Sequence, residues 1–294
     1  MAEKRIVSDN SGKISFGKEA ISKVYLTGNL AEVITVQKRT NNLKGLVRQD
    51  RDHYLDLSTG EIKEYRHTQQ KCSNPDNLRK SLENLRRTVN ANFCGKDCER
   101  HIVLTYGELM TDTDKLYGDI NHFVANLRRY YHFEYIAIVE PHADGRWHVH
   151  LLVKQSNDGD FYIPQSRVHH FWKHGGSNIR KLPVCDNYGA YFSAHVTSLD
   201  TSENPSSSIS KRTIKGARLK FYPTGMKIYR CSKGIVRPQA IQMKREEALE
   251  ALSDTKLLYS STKVIYEKVD HGAEKQVNAV LYERFAKQLE KESR

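Results

Sequence analysis

The chain has 294 residues, with 47 Lys plus Arg against 35 Asp plus Glu and a formal charge of +12 at pH 7. That length supports a hydrophobic core without staples, and the cation excess points to a polyanionic partner, nucleic acid being the commonest, although a plain solvated surface also carries such charge. The five cysteines form no disulfide framework, no apolar stretch follows the basic start MAEKR, and every apolar run is too short to span a bilayer, so a cytoplasmic protein with no membrane contact is expected.

Residues 1–74 are polar and weakly patterned, with strand-like segments turning at Gly28-Asn29 and Thr59-Gly60. From Asn77 a helix is predicted, because Leu78, Leu82, Leu85 and Val89 recur on one face. The β-branched run His101–Tyr106 (HIVLTY) reads as a buried strand. Thr111 and Asp112 can cap a following helix whose stripe is Leu116, Ile120, Phe123, Val124 and Leu127. Tyr135–Glu140 and Trp147–Lys154 are strands joined by a short loop turning at Gly145, which favours an antiparallel hairpin. A short helix over Gln165–His174, a strand over Asn178–Leu182 and a helix capped by Asp186 and running through Leu199 come next. Asp200–Ser210 reads as a loop, and Lys211–Ile235 is basic and interleaved with aromatics. From Gln239, two amphipathic helical patterns flank a strand-like KLLYSSTKVIYEKV. The expected organisation is an N-terminal polar region (1–74), a main domain (75–240) and a C-terminal helical and strand extension (241–294), without internal repeats.

The chemistry centres on His148-Val149-His150. Residues two apart on a strand face the same way, so both imidazoles can serve one metal ion. With 13 histidines in the chain, one such pair also arises readily by chance. The hairpin reading adds Glu140, which ends the preceding strand and would lie beside His148. Two histidines and a carboxylate leave coordination positions open for substrate oxygens. In the helix after Asp186, Tyr188, Tyr191 and His195 share one helical face. A phenol is a competent covalent nucleophile once its target is polarised, but aromatics at this spacing also simply pack on a sheet. Cys94 and Cys98, with Cys72 or a histidine, could form a zinc site, although no second matching pair exists.

The ordered triple VLTYGE, EPHADGRWHVHLLV and NYGAYFSAHVT resembles the three motifs of the His-hydrophobe-His (HUH) endonuclease superfamily. It is most similar to rolling-circle replication initiators of plasmids and phages from Gram-positive bacteria. The likeness spans about residues 75–240, including WKHGGSNIRKL and FYPTGMKIYRCSKGI. It implies an α+β fold with an antiparallel central sheet, flanking helices and a split βαβ core like that of RNA-recognition domains. It further implies Mg²⁺ or Mn²⁺ held by His148, His150 and Glu140. Tyr191 would be the nucleophile that becomes joined to the DNA 5′ end, with Tyr188 and His195 as accessory candidates. His195 stands where many relatives carry a second tyrosine, and Ala194 where a lysine is common, so a single-tyrosine mechanism is implied.

The resemblance also implies single-stranded DNA or an origin hairpin as partner, together with host helicase and polymerase. On composition alone, Arg212, Lys215, Arg218 and Lys220 are candidate phosphate contacts. Three rivals stand beside a replication initiator. A conjugative relaxase or tyrosine transposase would use the same chemistry. A non-catalytic nucleic-acid-binding regulator would need no tyrosine. A metal-dependent hydrolase of small molecules would need no such charge.

Overall fold

The computed structural model describes residues 4–9, 14–38, 46–50, 52–56, 60–64, 75–142, 144–156, 159–197, 199–200, 213–214, 221–223, 225–268 and 273–287. Strands β1 (Lys4–Asp9), β2 (Ile21–Thr27) and β3 (Leu30–Val36) precede a meander of β4 (Leu46–Arg48), β5 (His53–Asp56) and β6 (Glu61–Glu64). Then come α1 (Pro75–Asn90), β7 (Glu99–Thr105), α2 (Thr113–Arg128), β8 (Glu134–Pro141), β9 (Trp147–Lys154), α3 (Gln165–Phe171), β10 (Ser177–Lys181) and α4 (Tyr188–Thr197). The two-residue strands β11 (Leu199–Asp200) and β12 (Thr213–Ile214) pair with each other, and β13 (Tyr229–Cys231), β14 (Ile241–Lys244), α5 (Arg245–Glu250), β15 (Thr255–Lys268) and β16 (Glu274–Lys287) follow. Two compact units result: Leu26–Leu30 with Gln69–Gln239, and Met1–Tyr25 with Ala31–Thr68 and Ala240–Arg294.

The second of these units joins segments from both halves of the chain. Its six-stranded sheet has the order β1-β15-β16-β3-β2-β14, so the N-terminal region and the C-terminal extension share one sheet. The helical pattern expected near the C-terminus is instead the strand β16, where burial alternates from Ala279 through Leu281, Glu283 and Phe285. Period two prevails there because one face packs with Val24, Ala31, Val33, Ala248 and Leu252. A buried bidentate pair, Arg245 to Glu283 at 2.6 and 3.0 Å, ties α5 to β16, and Arg245 also donates to Thr35 Oγ1 at 3.1 Å. The two expected turns are present: Gly28 at φ 65° and Gly60 at φ 72° adopt the left-handed conformation that tight hairpins demand.

In the other unit, the run β7-α2-β8-β9-α3-β10 is βαββαβ, and its strands lie in the order β10-β7-β9-β8, with β13 added outside β8. All neighbours are antiparallel, which leaves β7 and β8 parallel with β9 between them. This is the split βαβ arrangement within an α+β class. Asp112 caps α2 as expected, its side chain accepting from the amides of Asp114 and Lys115 at 2.9 and 3.1 Å. The expected stripe of that helix is buried.

Asp186 does not cap α4. Its carboxylate accepts from Asn29 Nδ2 at 2.8 Å, and the amide of Gly189 is instead satisfied by Asn90 Oδ1 at 2.7 Å, from the end of α1. The cap is tertiary because Gly189 lets the two helix backbones touch. A Cβ at Gly189 would collide with the Arg86 carbonyl oxygen and Cα. Gly189→Ala adds up to about 1 kcal/mol of helix propensity against an overpacking cost of about 1–3 kcal/mol. Backbone cannot step aside, so we expect a net loss near the upper part of that range. Urea denaturation reads it, and an unchanged midpoint would mean that the helices separate freely.

Candidate metal and nucleophile site

Pleating gathers the polar residues. Glu140 lies directly opposite His148, His148 opposite Thr105, His150 opposite Val103, and His101 opposite Arg180. Alternation therefore sets Glu140, His148, His150, His101 and Arg180 on one face of the sheet. Phe192 of α4 packs edge-on against both His101 and His150, at centroid distances of 5.3 and 5.7 Å, which puts α4 over that face. The opposite face carries α2, where Tyr117 lies beneath the Arg230 guanidinium at 3.3 Å.

Four of the five residues form a hydrogen-bonded row across four adjacent strands. Arg180 Nε lies 3.4 Å from His101 Nδ1, His101 Nε2 lies 3.0 Å from His150 Nδ1, and His150 Nε2 lies 2.6 Å from Glu140 Oε2. Glu140, His150 and His101 are all buried. The fifth, His148, stacks on His142 at 5.1 Å. A divalent site suits this donor chemistry, since two imidazoles and a carboxylate converge from adjacent strands. Among the described residues, however, no three His, Cys, Asp or Glu side chains stand in an arrangement that holds a metal ion. The direct Glu140–His150 hydrogen bond occupies the space between those two donors.

Burial, with the positive charges of His142, His150 and Arg146 nearby, pushes His148 down to about 4. At neutral pH its imidazole is therefore uncharged, the form a metal requires. The same shift makes an acid-stability prediction. The unfolded chain takes up a proton at His148 below about 6.5, whereas the folded chain resists until about 4. The folded pKa is the lower one, so this contribution is whole above about 6.5 and is lost as pH falls toward 4. His148→Gln should flatten part of the decline in melting temperature between about pH 7 and pH 4.5, and matching profiles would contradict the shift.

The three residues expected on one face of α4 have different surroundings. Tyr188 is 6% exposed, its hydroxyl donates to the Pro183 carbonyl, and burial pushes its phenol up to about 12. Tyr191 is 44% exposed and lies edge-on to Phe192 at 5.1 Å. Tyr191 thus reaches the histidine face through one intervening ring. His195 lies in the same helix, but its side chain lies outside the described residues. Arg212, Lys215, Arg218 and Lys220 are outside them too, as is Cys72. Cys98 is buried, and burial and the nearby Glu99 push the Cys94 thiol up.

His101, Arg180 and His142 escaped the sequence reading. His101 opens a strand whose apolar run draws attention away from it, and its meeting with His150 depends on a register between strands that are 49 positions apart. His142 sits in the quoted EPHADGRWHVH stretch, two residues beyond Glu140.

A βαββαβ sheet carrying a His-x-His strand against a carboxylate-bearing one defines a class of compact α+β domain with a polar, helix-covered site. Residues 99–200, roughly a third of the chain, match the family of the replication-associated protein ORF2. The matched stretch runs from β7 through β11 and takes in every polar residue of the row. No curated protein and no solved structure matches the chain. Among the described residues, no helix is long and apolar enough to cross a membrane.

Proposed function

We propose that this protein is a replication initiator of the His-hydrophobe-His type, which nicks single-stranded DNA at an origin and becomes covalently joined to it. One observation carries the reading: Glu140, His148 and His150 share a sheet face that α4 covers, while the neighbouring Tyr191 is exposed. The family match over residues 99–200 supports the same reading.

Mg²⁺ or Mn²⁺ held by His148, His150 and Glu140 would supply Lewis-acid polarisation of the scissile phosphate. Tyr191 loses its phenolic proton, and its oxygen attacks phosphorus in line. The bond from phosphorus to the 3′-oxygen breaks, and that oxygen gains a proton. The 5′ side stays on the protein as a phosphotyrosine ester, and the freed 3′-OH can prime a host polymerase. Basic side chains hold the strand, so non-specific binding should weaken steeply between low and moderate salt as counterions return to the DNA. A flat salt profile would remove nucleic acid as the substrate.

The deciding experiment incubates the full chain with end-labelled single-stranded origin DNA and Mn²⁺, then denatures it. A labelled band that survives denaturation supports the reading. Tight DNA binding without any such band would favour a non-catalytic regulator.

A further inference from the structure

The row Arg180–His101–His150–Glu140 has a direction, and its chemistry dictates which. An arginine Nε can only donate, so at 3.4 Å from His101 Nδ1 it makes that nitrogen an acceptor. Neutral His101 then carries its proton on Nε2 and donates it to His150 Nδ1, 3.0 Å away. His150 Nδ1 is thereby an acceptor, and its own proton rests on Nε2, which donates to Glu140 Oε2 at 2.6 Å. Each link satisfies the next, and the ends suit the polarity: a guanidinium at one side of the sheet and a carboxylate at the other.

We propose that His101, oriented by Arg180, is a positioning residue that fixes the tautomer of His150 and keeps the position between His150 and Glu140 closed to metal until Arg180 releases it. The inference rests on the functional reading above only for the identity of what enters that position. An ion bound at His150 Nε2 leaves the ring proton on Nδ1, pointing at His101 Nε2. His101 must then accept at Nε2 and carry its proton on Nδ1, where Arg180 presents another donor. Two donors face to face repel, so ion entry and the Arg180–His101 contact oppose one another. Arg180 is exposed on the edge strand β10 and a planar guanidinium matches a phosphodiester, so an arriving DNA strand can draw it away. Strand binding and ion binding thereby become mutually reinforcing.

The test uses the full chain labelled with ¹⁵N-histidine, without metal. Long-range ¹H–¹⁵N correlation spectra report which ring nitrogen of His150 is protonated. The expected result is Nε2–H in the wild type and a shift toward Nδ1–H in Arg180→Met, which keeps the stem and removes the donor. His101→Phe should leave His150 with mixed tautomers. Nδ1–H in the wild type, or an identical tautomer in Arg180→Met, overturns the proposal.

A second measurement is Mn²⁺ affinity by calorimetry, with and without single-stranded DNA. Arg180→Met should bind Mn²⁺ more tightly than the wild type without DNA, by about 10-fold, within the range that outer hydrogen-bond partners of metal ligands exert. DNA should raise the wild-type affinity and leave the variant's nearly unchanged. Equal affinities for the two proteins overturn the closure. Failure of every protein to bind Mn²⁺ defeats the metal reading instead, while the tautomer spectra still decide the role of His101.

Discussion

Tyr191→Phe should eliminate both the nick and the covalent adduct, whereas Tyr188→Phe should retain both. The substitution removes one oxygen and keeps the ring, so packing changes little at either site. The two tyrosines differ in environment rather than in chemistry. Tyr188 is buried, donates to the Pro183 carbonyl and has a phenol raised to about 12, so it is costly to ionise and closed to a DNA backbone. Tyr191, at 44% exposure, is open to substrate. Loss of a covalent nucleophile leaves no alternative path to a phosphotyrosine, so adduct should fall below detection. Tyr188→Phe forfeits a buried hydrogen bond of about 1 kcal/mol and should appear as a modest stability loss. Peptide mapping of the wild-type adduct locates the modified side chain, and a nucleotide on Tyr188 would reverse the assignment.

The second large effect concerns the histidines. His150→Ala and His148→Ala should each abolish nicking while single-strand binding survives, because phosphate contacts supply most of the affinity. A Lewis acid at a phosphoryl centre is worth several kcal/mol, which at about 1.4 kcal/mol per tenfold is roughly a thousandfold in rate. His150 needs a control, since its removal strands the buried Glu140 carboxylate, which now accepts from it at 2.6 Å. His150→Gln retains a donor for Glu140 and separates lost chemistry from lost stability. Glu140→Ala should weaken Mn²⁺ binding more than DNA binding. Undiminished cleavage by the double His→Ala variant would falsify the ligand set.

The part of this site that was legible in the sequence is the part governed by short range. The loop between β8 and β9 turns at Gly145, φ 89°, and closes through the His142 amide and the Arg146 carbonyl at 2.6 Å. A short hairpin fixes its own register, so Glu140 opposite His148 could be read from spacing alone. His101 could not, because the pairing of β7 with β9 is set by packing between segments that are remote in the chain. Helical spacing likewise grouped Tyr188 with Tyr191, but spacing cannot say which side of the stripe faces the core. The bonding of Asp186 to Asn29 and the capping of α4 by Asn90 show the same limit, since both are tertiary choices that override a local signal. In β16 an amphipathic segment was compatible with two periods, and the partners β15 and β3 decided for the strand.

The sheet that unites Lys4–Asp9 with Glu274–Lys287 has a consequence in time. In β1, Lys4 pairs with Glu267, so this ladder joins residues at extreme sequence separation and has one of the slowest kinds of closure. As the chain leaves the ribosome, every strand of the βαββαβ sheet, its β13 edge included, is present once Cys231 has emerged. Strands β1, β2 and β3 must wait much longer, because β3 has β16 as a neighbour and β1 pairs with β15. For that interval their edges are unpaired and apolar positions such as Val24 and Val33 lack their cover. The order of synthesis therefore makes the site-bearing unit the early folder, and leaves the N-terminal strands as the stretch most in need of protection from aggregation.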